Sequence, residues 1–330
     1  MPSAALPWTD HLEDSLKRAA GELGFDACGI ARAQPVDSVV RQRYRQWLDD
    51  GLNGTMAWAN RYADVRDDPR LLLPDAQSLV MLAINYLPPT LLPPDVPQFA
   101  RYAYGQDYHT VVRRRLHTLA ARLTEATGAR CRCLVDTAPL RERYWAAMAG
   151  IGFVGRNHQL IIPQRGSFFF LGAIVTTAAL RPDTPPQPLR VAEAGALCGT
   201  CNRCVEACPV GALTSGKPLD ARRCLSCLTI EHRGALPTWL TPRQLGNRVY
   251  GCDECQLACP HNDNARPTTI AEFVPSADFL RLSRADLLTL TDQRFLHLFG
   301  SSAVSRAGAE NLRRNAALAA TASSDSSANP

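Results

Sequence analysis

Apolar residues recur at helical spacing through residues 10–24, through "VDSVVRQRYRQWLDDG" (36–51) and through "YHTVVRRRLHTLAARLTEATG" (108–128), whose Gly128 suits a left-handed C-cap. "FDACGIAR" (25–32) reads as a short strand and "SLVMLAINYL" (78–87) as a β-rich apolar run, with the proline cluster "PPTLLPPDVP" making a loop after it. "CRCLVD" (131–136) predicts a strand, "APLRERYWAAMAG" (138–150) a helix, and "HQLIIP" with "SFFFLGAIVTTAAL" a pair of strands. Together these make an α/β domain, closed by a proline-rich linker, "RPDTPPQPLR" (181–190). Near the end, "SRADLLTLTDQRFLHLF" and "SRAGAENLRRNAALAAT" each predict a helix, and "ASSDSSANP" a disordered tail.

Length and composition add that the 330 residues suffice for about two domains and that 46% hydrophobic with 20% charged residues is the make-up of a soluble globular protein. The N-terminus has neither an apolar run after a basic start nor a twin arginine, and no later stretch offers about 18 uninterrupted apolar residues. The expectation is a cytoplasmic protein without a membrane partner. Net charge is +5, and Lys17 and Lys217 are its only lysines, so arginine supplies nearly all the positive charge. Arginine suits bidentate phosphate contacts and permits a nucleic-acid partner, although codon bias in a GC-rich genome gives the same composition.

Nine of the 12 cysteines lie between Cys198 and Cys259, which in a reducing compartment points to metal ligation and not to disulfides. Cys28, Cys131 and Cys133 stand apart and read as buried free thiols. "CGTCNRCVEACP" has the C-x2-C-x2-C-x3-C-P spacing of a [4Fe-4S] ferredoxin run, whose fourth cysteine serves the other cluster. "CDECQLACP" repeats it without the first cysteine. Cys198, Cys201 and Cys204 would then share a cluster with Cys259, and Cys252 and Cys255 a second one with Cys208 and either Cys224 or Cys227. A pair of zinc sites would want longer separations between C-x2-C pairs and does not explain two C-x3-C-P endings.

Three further motifs are less specific. "GIGFVG" (150–155) matches G-x-G-x-x-G, but a helix precedes it and a strand-like run follows, the reverse of a dinucleotide site, so turn glycines are the better reading. "DYHTVV" (107–112) is similar to the D-x-H-x-x-G signature of corrinoid domains, yet Val112 stands where glycine is required. Asp136 ends a strand and precedes a helix, so it or Thr137 would serve as N-cap, with Pro139 in the first turn. A carboxyl at that edge would also serve as a proton donor, provided burial keeps it protonated.

Taken together, "RDDPRLLLPDAQSLV", "RYAYGQDYHTVVRRRL", "VDTAPLRERYWAAMAGIGFVGRN", "GSFFFLGAIV", "DARRCLSCLTIEHRGALP", "GNRVYGCDECQLACPHN" and "LRRNAALA", with the first cysteine run, resemble the epoxyqueuosine reductase family over nearly the whole chain. The resemblance implies an α+β protein. It would comprise a nitroreductase-like α/β domain binding base-off cobalamin, of the type shared with reductive dehalogenases (1–185), a ferredoxin-like domain with two [4Fe-4S] clusters (186–265), a helical C-terminal segment (266–322) and a disordered tail (323–330). It implies reduction of epoxyqueuosine to queuosine at the wobble position of tRNA with a GUN anticodon. Electrons would come from an external low-potential donor of flavodoxin or ferredoxin type and pass through the clusters to cobalamin in a monomeric enzyme.

By the same resemblance Asp136 is the proton donor, and Arg66, Ala100, Leu160, Ile162 and Leu171 join it at the cofactor. Cys224 is the eighth ligand, with Cys227 where an aromatic is usual. Arg156 replaces the usual lysine of "GKN" and Phe153 a frequent tryptophan. Arg233, and with it Arg222, Arg313 and Arg314, would meet tRNA phosphates. Two other functions compete: a corrinoid reductive dehalogenase, expected to carry a twin-arginine signal, and an electron carrier in which Asp136 has no role.

Overall fold

The computed structural model describes residues 11–185 and 187–325. Its centre is a four-stranded sheet in the order Ala27–Arg32, Ser78–Asn85, Phe169–Thr176, Cys131–Leu134, every neighbouring pair antiparallel. Both faces of the second strand are covered, which is why "SLVMLAIN" is a continuous apolar run and does not alternate with polar residues. Val80, Leu82 and Ile84 face the helices Leu12–Glu22 and Tyr108–Thr127, while Leu79, Met81 and Ala83 face the helix Glu142–Met148, with Trp145 in that core. Gly172 lets the long helix approach, since a Cβ there would meet Leu116 and Val112 at 3.0 and 3.1 Å. Val112 is fully buried in this contact, so the valine that breaks the corrinoid-like signature is a packing residue. Gly128 caps the same helix with φ 69°.

Several expectations need correction. The helix read over 138–150 starts only at Glu142, its N-cap is Arg141 without a side-chain bond, and neither Asp136 nor Thr137 caps it. Leu160–Ile161 pairs with Phe153–Val154, within "GIGFVG", and not with the strand that follows, which belongs to the central sheet. The stretch 283–299 is two helices, Arg284–Leu288 and Asp292–Phe299, because Thr291 breaks the run and caps Arg294 N–H. The linker is anchored: the Asp183 carboxylate accepts from Ile30 N–H at 3.0 Å and from Lys17 Nζ at 2.6 Å. The last helix, Gly308–Asp325, runs into the segment expected to be disordered, and 326–330 lie outside the described residues, as do residues 1–10.

The cysteine-rich segment and the C-terminal helices pack against the sheet domain as one body. Gln98–Phe99 pairs in parallel with Arg248–Tyr250, and Phe99, Tyr250, Phe279, Phe299 and Leu312 form a shared core. No helix among the described residues is long and apolar enough to cross a membrane.

Candidate active site

The two cysteine half-motifs take the same local form. A short helix, Arg203–Glu206 or Glu254–Leu257, carries Cys204 or Cys255, and the chain then turns at Cys208-Pro209 or Cys259-Pro260. The two helices pack on each other. Cys204 lies within electrostatic reach of Cys198, Cys259 and Cys201, and Cys259 within reach of Cys198 and Cys201. Cys224 senses Cys208, Cys252 senses Cys224, and Cys255 senses Cys252, Cys224 and, across the gap, Cys204. Cys198, Cys201, Cys204 and Cys259 thus neighbour one another, as do Cys208, Cys224, Cys252 and Cys255, with Cys255 and Cys204 where the two groups meet. Cys227 is turned toward Thr55, its Sγ 3.8 Å from Oγ1.

Burial pushes the thiols of Cys204, Cys224, Cys252, Cys255 and Cys259 up, Cys252 to about 12, so holding them as thiolates takes nearby cationic charge, as iron would supply. Among the described residues no three His, Cys, Asp or Glu side chains converge as ligands of a single metal ion. Backbone N–H groups already point at sulfur: Arg156 N–H donates to Cys198 Sγ at 3.4 Å and Ala212 N–H to Cys208 Sγ at 3.2 Å.

A cleft with about 1360 Å³ of empty space, its mouth included, lies between the sheet domain and the cysteine-rich segment. Its walls include Phe170 and Leu171 of the third sheet strand, Ala100 and Leu160, then Cys208, Cys224, Cys252 and Cys255, and also Tyr108, Asp136, Glu142 and Arg143. All four cysteines of the second set, and none of the first, line it.

Asp136 is the middle residue of a tight turn in which Thr137 N–H donates to Val135 O at 2.5 Å, and its φ of 48° is in the left-handed region. Such a conformation costs a non-glycine residue about 1–3 kcal/mol and persists where neighbours hold it. The Glu142 carboxylate is one such neighbour, accepting from Asp136 N–H at 2.6 Å. Asp136 Oδ2 accepts from Tyr108 Oη at 2.5 Å and lies 3.3 Å from His109 Nε2, while His109 Nδ1 lies 2.7 Å from Asp107 Oδ1. The Asp136 side chain nevertheless keeps 57% of its surface open, so a carboxylate oxygen remains available to the cleft.

Burial raises Asp136, but hydrogen bonds from His109 and Tyr108, with the charges of His109 and Arg143, outweigh it and hold the carboxyl below its usual range. The expectation of a carboxyl kept protonated by burial is therefore corrected. Protons reside on its neighbours. Burial, then the Asp136 charge, lifts Glu142 to about 8. Burial lowers His109, yet its bonds to Asp107 and Asp136 prevail and raise it to about 9.

Of the residues named for the cofactor, Ala100, Asp136, Leu160 and Leu171 line the cleft, and Arg66 and Ile162 are outside its lining. Arg66 stacks over Trp58 at 5.5 Å, and Ile162 is buried, its backbone bridged to Gly166. The arginines named for tRNA hold the fold: Arg233 donates to Ile230 O and Arg306 O, and Arg314 to Leu228 O, His232 O and Gly234 O. Arg313 donates to Leu290 O, and Arg222 pairs with Asp220. Sequence reasoning missed Tyr108, His109, Glu142 and Arg143. The signal lay in "DYH", whose Tyr108 and His109 reach Asp136, and in "RER".

Residues 66–137 match the family model "Epoxyqueuosine reductase QueG, DUF1730", and residues 197–262 match "4Fe-4S double cluster binding domain". An epoxyqueuosine reductase of Leadbetterella byssophila is 38% identical over 304 residues, 92% of this chain and 96% of that one. One of Pseudomonas aeruginosa is 36% identical over 315 residues, covering 93% and 84%. Among solved structures, an epoxyqueuosine reductase with a tRNA-TYR epoxyqueuosine-modified tRNA stem loop superimposes with TM-score 0.83 at 33% identity, covering 96% of this chain and 83% of that one. That of Bacillus subtilis, with its aspartate catalytic loop swung out of the active site, gives 0.84 at 31% identity over 96% and 83%. With a relative at this identity matched over nearly its full length, the chain belongs to the epoxyqueuosine reductase family.

Proposed function

We propose that this chain reduces epoxyqueuosine to queuosine in tRNA. One observation carries the reading: the Asp136 carboxylate, the proton-holding Glu142 and a set of four cysteines face the same cleft. Removing an epoxide oxygen as water takes two electrons and two protons, so both kinds of group are needed at one place. An electron carrier needs no such acid cluster.

The eight cysteines Cys198, Cys201, Cys204 and Cys259, and Cys208, Cys224, Cys252 and Cys255, would hold two [4Fe-4S] clusters, which supply electrons singly from an external donor. The donor set fits: every ligand is a thiol, the two sets are separately grouped, and burial disfavours free thiolates at Cys204, Cys224, Cys252, Cys255 and Cys259. Cobalamin also fits the chemistry of the lining, since the cleft combines apolar walls at Ala100, Leu160, Phe170 and Leu171 with polar groups at Gln159 and Ser226. When bound there it supplies the two-electron chemistry that opens the epoxide.

The protein's part is proton management. Asp136 presents a carboxylate oxygen to the cleft and relays to the opened epoxide oxygen a proton taken from its neighbours. His109, protonated at neutral pH and held by Asp107, and Glu142, largely protonated there, restore it. An anticodon base must be splayed out of its loop to reach this depth.

The test is nucleoside analysis of tRNA from a deletion strain. Loss of the gene should accumulate epoxyqueuosine and its return should restore queuosine; a deletion strain with normal queuosine and no epoxyqueuosine would sink the proposal.

A further inference from the structure

Arg156 takes no part in the proton chemistry above, yet its contacts are concentrated on one loop. Its backbone N–H donates to Cys198 Sγ at 3.4 Å, and its guanidinium donates to Cys201 O at 2.7 Å, to Gly199 O at 3.0 Å and to Asn202 Oδ1. All four acceptors belong to the short stretch that carries two of the first-set cysteines. Gly195, with φ 81°, lets the incoming chain pass directly over this side chain, since a Cβ there would lie 3.1 Å from Arg156 Cβ. The next residue, Asn157, donates to Cys255 O at 3.1 Å in the other set, so adjacent residues fasten the two cysteine groups to one strand-turn. Arg156 has no carboxylate within ion-pair distance among the described residues, so its charge is not cancelled locally.

We infer that Arg156 is a positioning residue for the cluster held by Cys198, Cys201, Cys204 and Cys259, and that its charge raises that cluster's reduction potential relative to a neutral side chain. The inference rests on the cluster reading of those cysteines. A planar guanidinium presents donors in a fixed fork that can reach several separated acceptors at once, whereas a lysine ammonium is a point with three donors. The fork therefore fixes the loop while leaving a positive charge on the stretch that carries Cys198 and Cys201. Reduction adds one electron from the external donor and one negative charge to the cluster. A nearby cation and an N–H···S bond both favour that more negative state.

The experiment uses the full-length, anaerobically purified protein as wild type, Arg156→Gln and Arg156→Lys. Iron and acid-labile sulfide are counted, and the midpoint of each cluster is read by electron paramagnetic resonance at poised potentials. Arg156→Gln should shift one midpoint to more negative potential and leave the other unchanged at full iron content. Arg156→Lys, which keeps the charge, should keep the wild-type midpoints but lose iron to a chelator several-fold faster. Unchanged midpoints in a fully loaded Arg156→Gln protein overturn the inference. Should Arg156→Gln fail to assemble clusters, an Arg156→Lys protein releasing iron at the wild-type rate overturns the positioning role. A wild type without iron instead overturns the cluster reading on which the inference stands.

Discussion

The Asp136 amide donates to the Glu142 carboxylate at 2.6 Å, so two acids with opposite tendencies are joined through one short piece of chain. Asp136 is held below the ordinary carboxylate range and Glu142 is raised to about 8. The backbone bond also braces the left-handed turn at Asp136. Glu142 thus has two separable duties, one as acceptor and one as proton carrier.

Replacement separates them. Glu142→Gln keeps an acceptor and removes the ionisation, so turnover should persist at reduced rate without the decline expected of wild type as Glu142 loses its proton near pH 8. Glu142→Ala loses the brace as well and should fall further. Asp136→Ala should lower turnover by about 10²-fold or more, in the range of a lost general acid. Single-turnover rates between pH 6 and 9, about the span of these values, check all three.

Stability should follow the same groups. Glu142 is raised from 4.5 to about 8, so the folded protein binds the extra proton and loses stability as pH rises through that window. His109 is raised from 6.5 to about 9, so its contribution is complete below 6.5 and is lost as pH rises toward 9. Denaturant unfolding of the loaded protein should show stability declining across these windows. Glu142→Gln should flatten the lower part and His109→Asn the upper. Profiles identical to wild type would contradict the assignment.

Cys224 and Cys227 stand three residues apart in sequence yet should behave differently. Cys224 lines the cleft with Cys208, Cys252 and Cys255, while Cys227 faces Thr55. Cys224→Ser should lose about half of the iron, the share of one of two clusters. Cys227→Ser should keep the wild-type content. Iron analysis after anaerobic gel filtration decides, and the reverse result would exchange their roles.

Much of this was legible in the chain. The long helix, the buried strand and the cysteine grouping follow from periodicity and spacing, which are local signals. The break at Thr291 was not read, because the hydrophobic period alone merges the two helices it divides. What could not be read is where non-local partners meet. Asp136 looks like a helix cap in sequence, and only the approach of the Tyr108–Thr127 helix gives it Tyr108 and His109 instead. The same limit applies to arginine. A surface-looking pair, Arg313 and Arg314, is consumed by carbonyls of Leu290, Leu228, His232 and Gly234.

That consumption has its own consequence. Arg314→Ala would strand the carbonyl groups of Leu228 and Gly234, while His232 O keeps its bond from Asn311, and should destabilise the fold by about 2–4 kcal/mol, at roughly 1 kcal/mol or somewhat more per lost bond. The salt dependence of tRNA binding by the folded variant should match wild type, because no phosphate contact is lost. A shallower salt dependence with unchanged unfolding would return Arg314 to the tRNA interface.

The most direct test of the account is anaerobic turnover of epoxyqueuosine-containing tRNA by purified protein loaded with iron, sulfide and cobalamin and supplied with a low-potential reductant. Nucleoside analysis should show queuosine formed by wild type and epoxyqueuosine retained by Asp136→Ala at equal cofactor content. Retention of epoxyqueuosine by fully loaded wild type, or full conversion by Asp136→Ala, would contradict it.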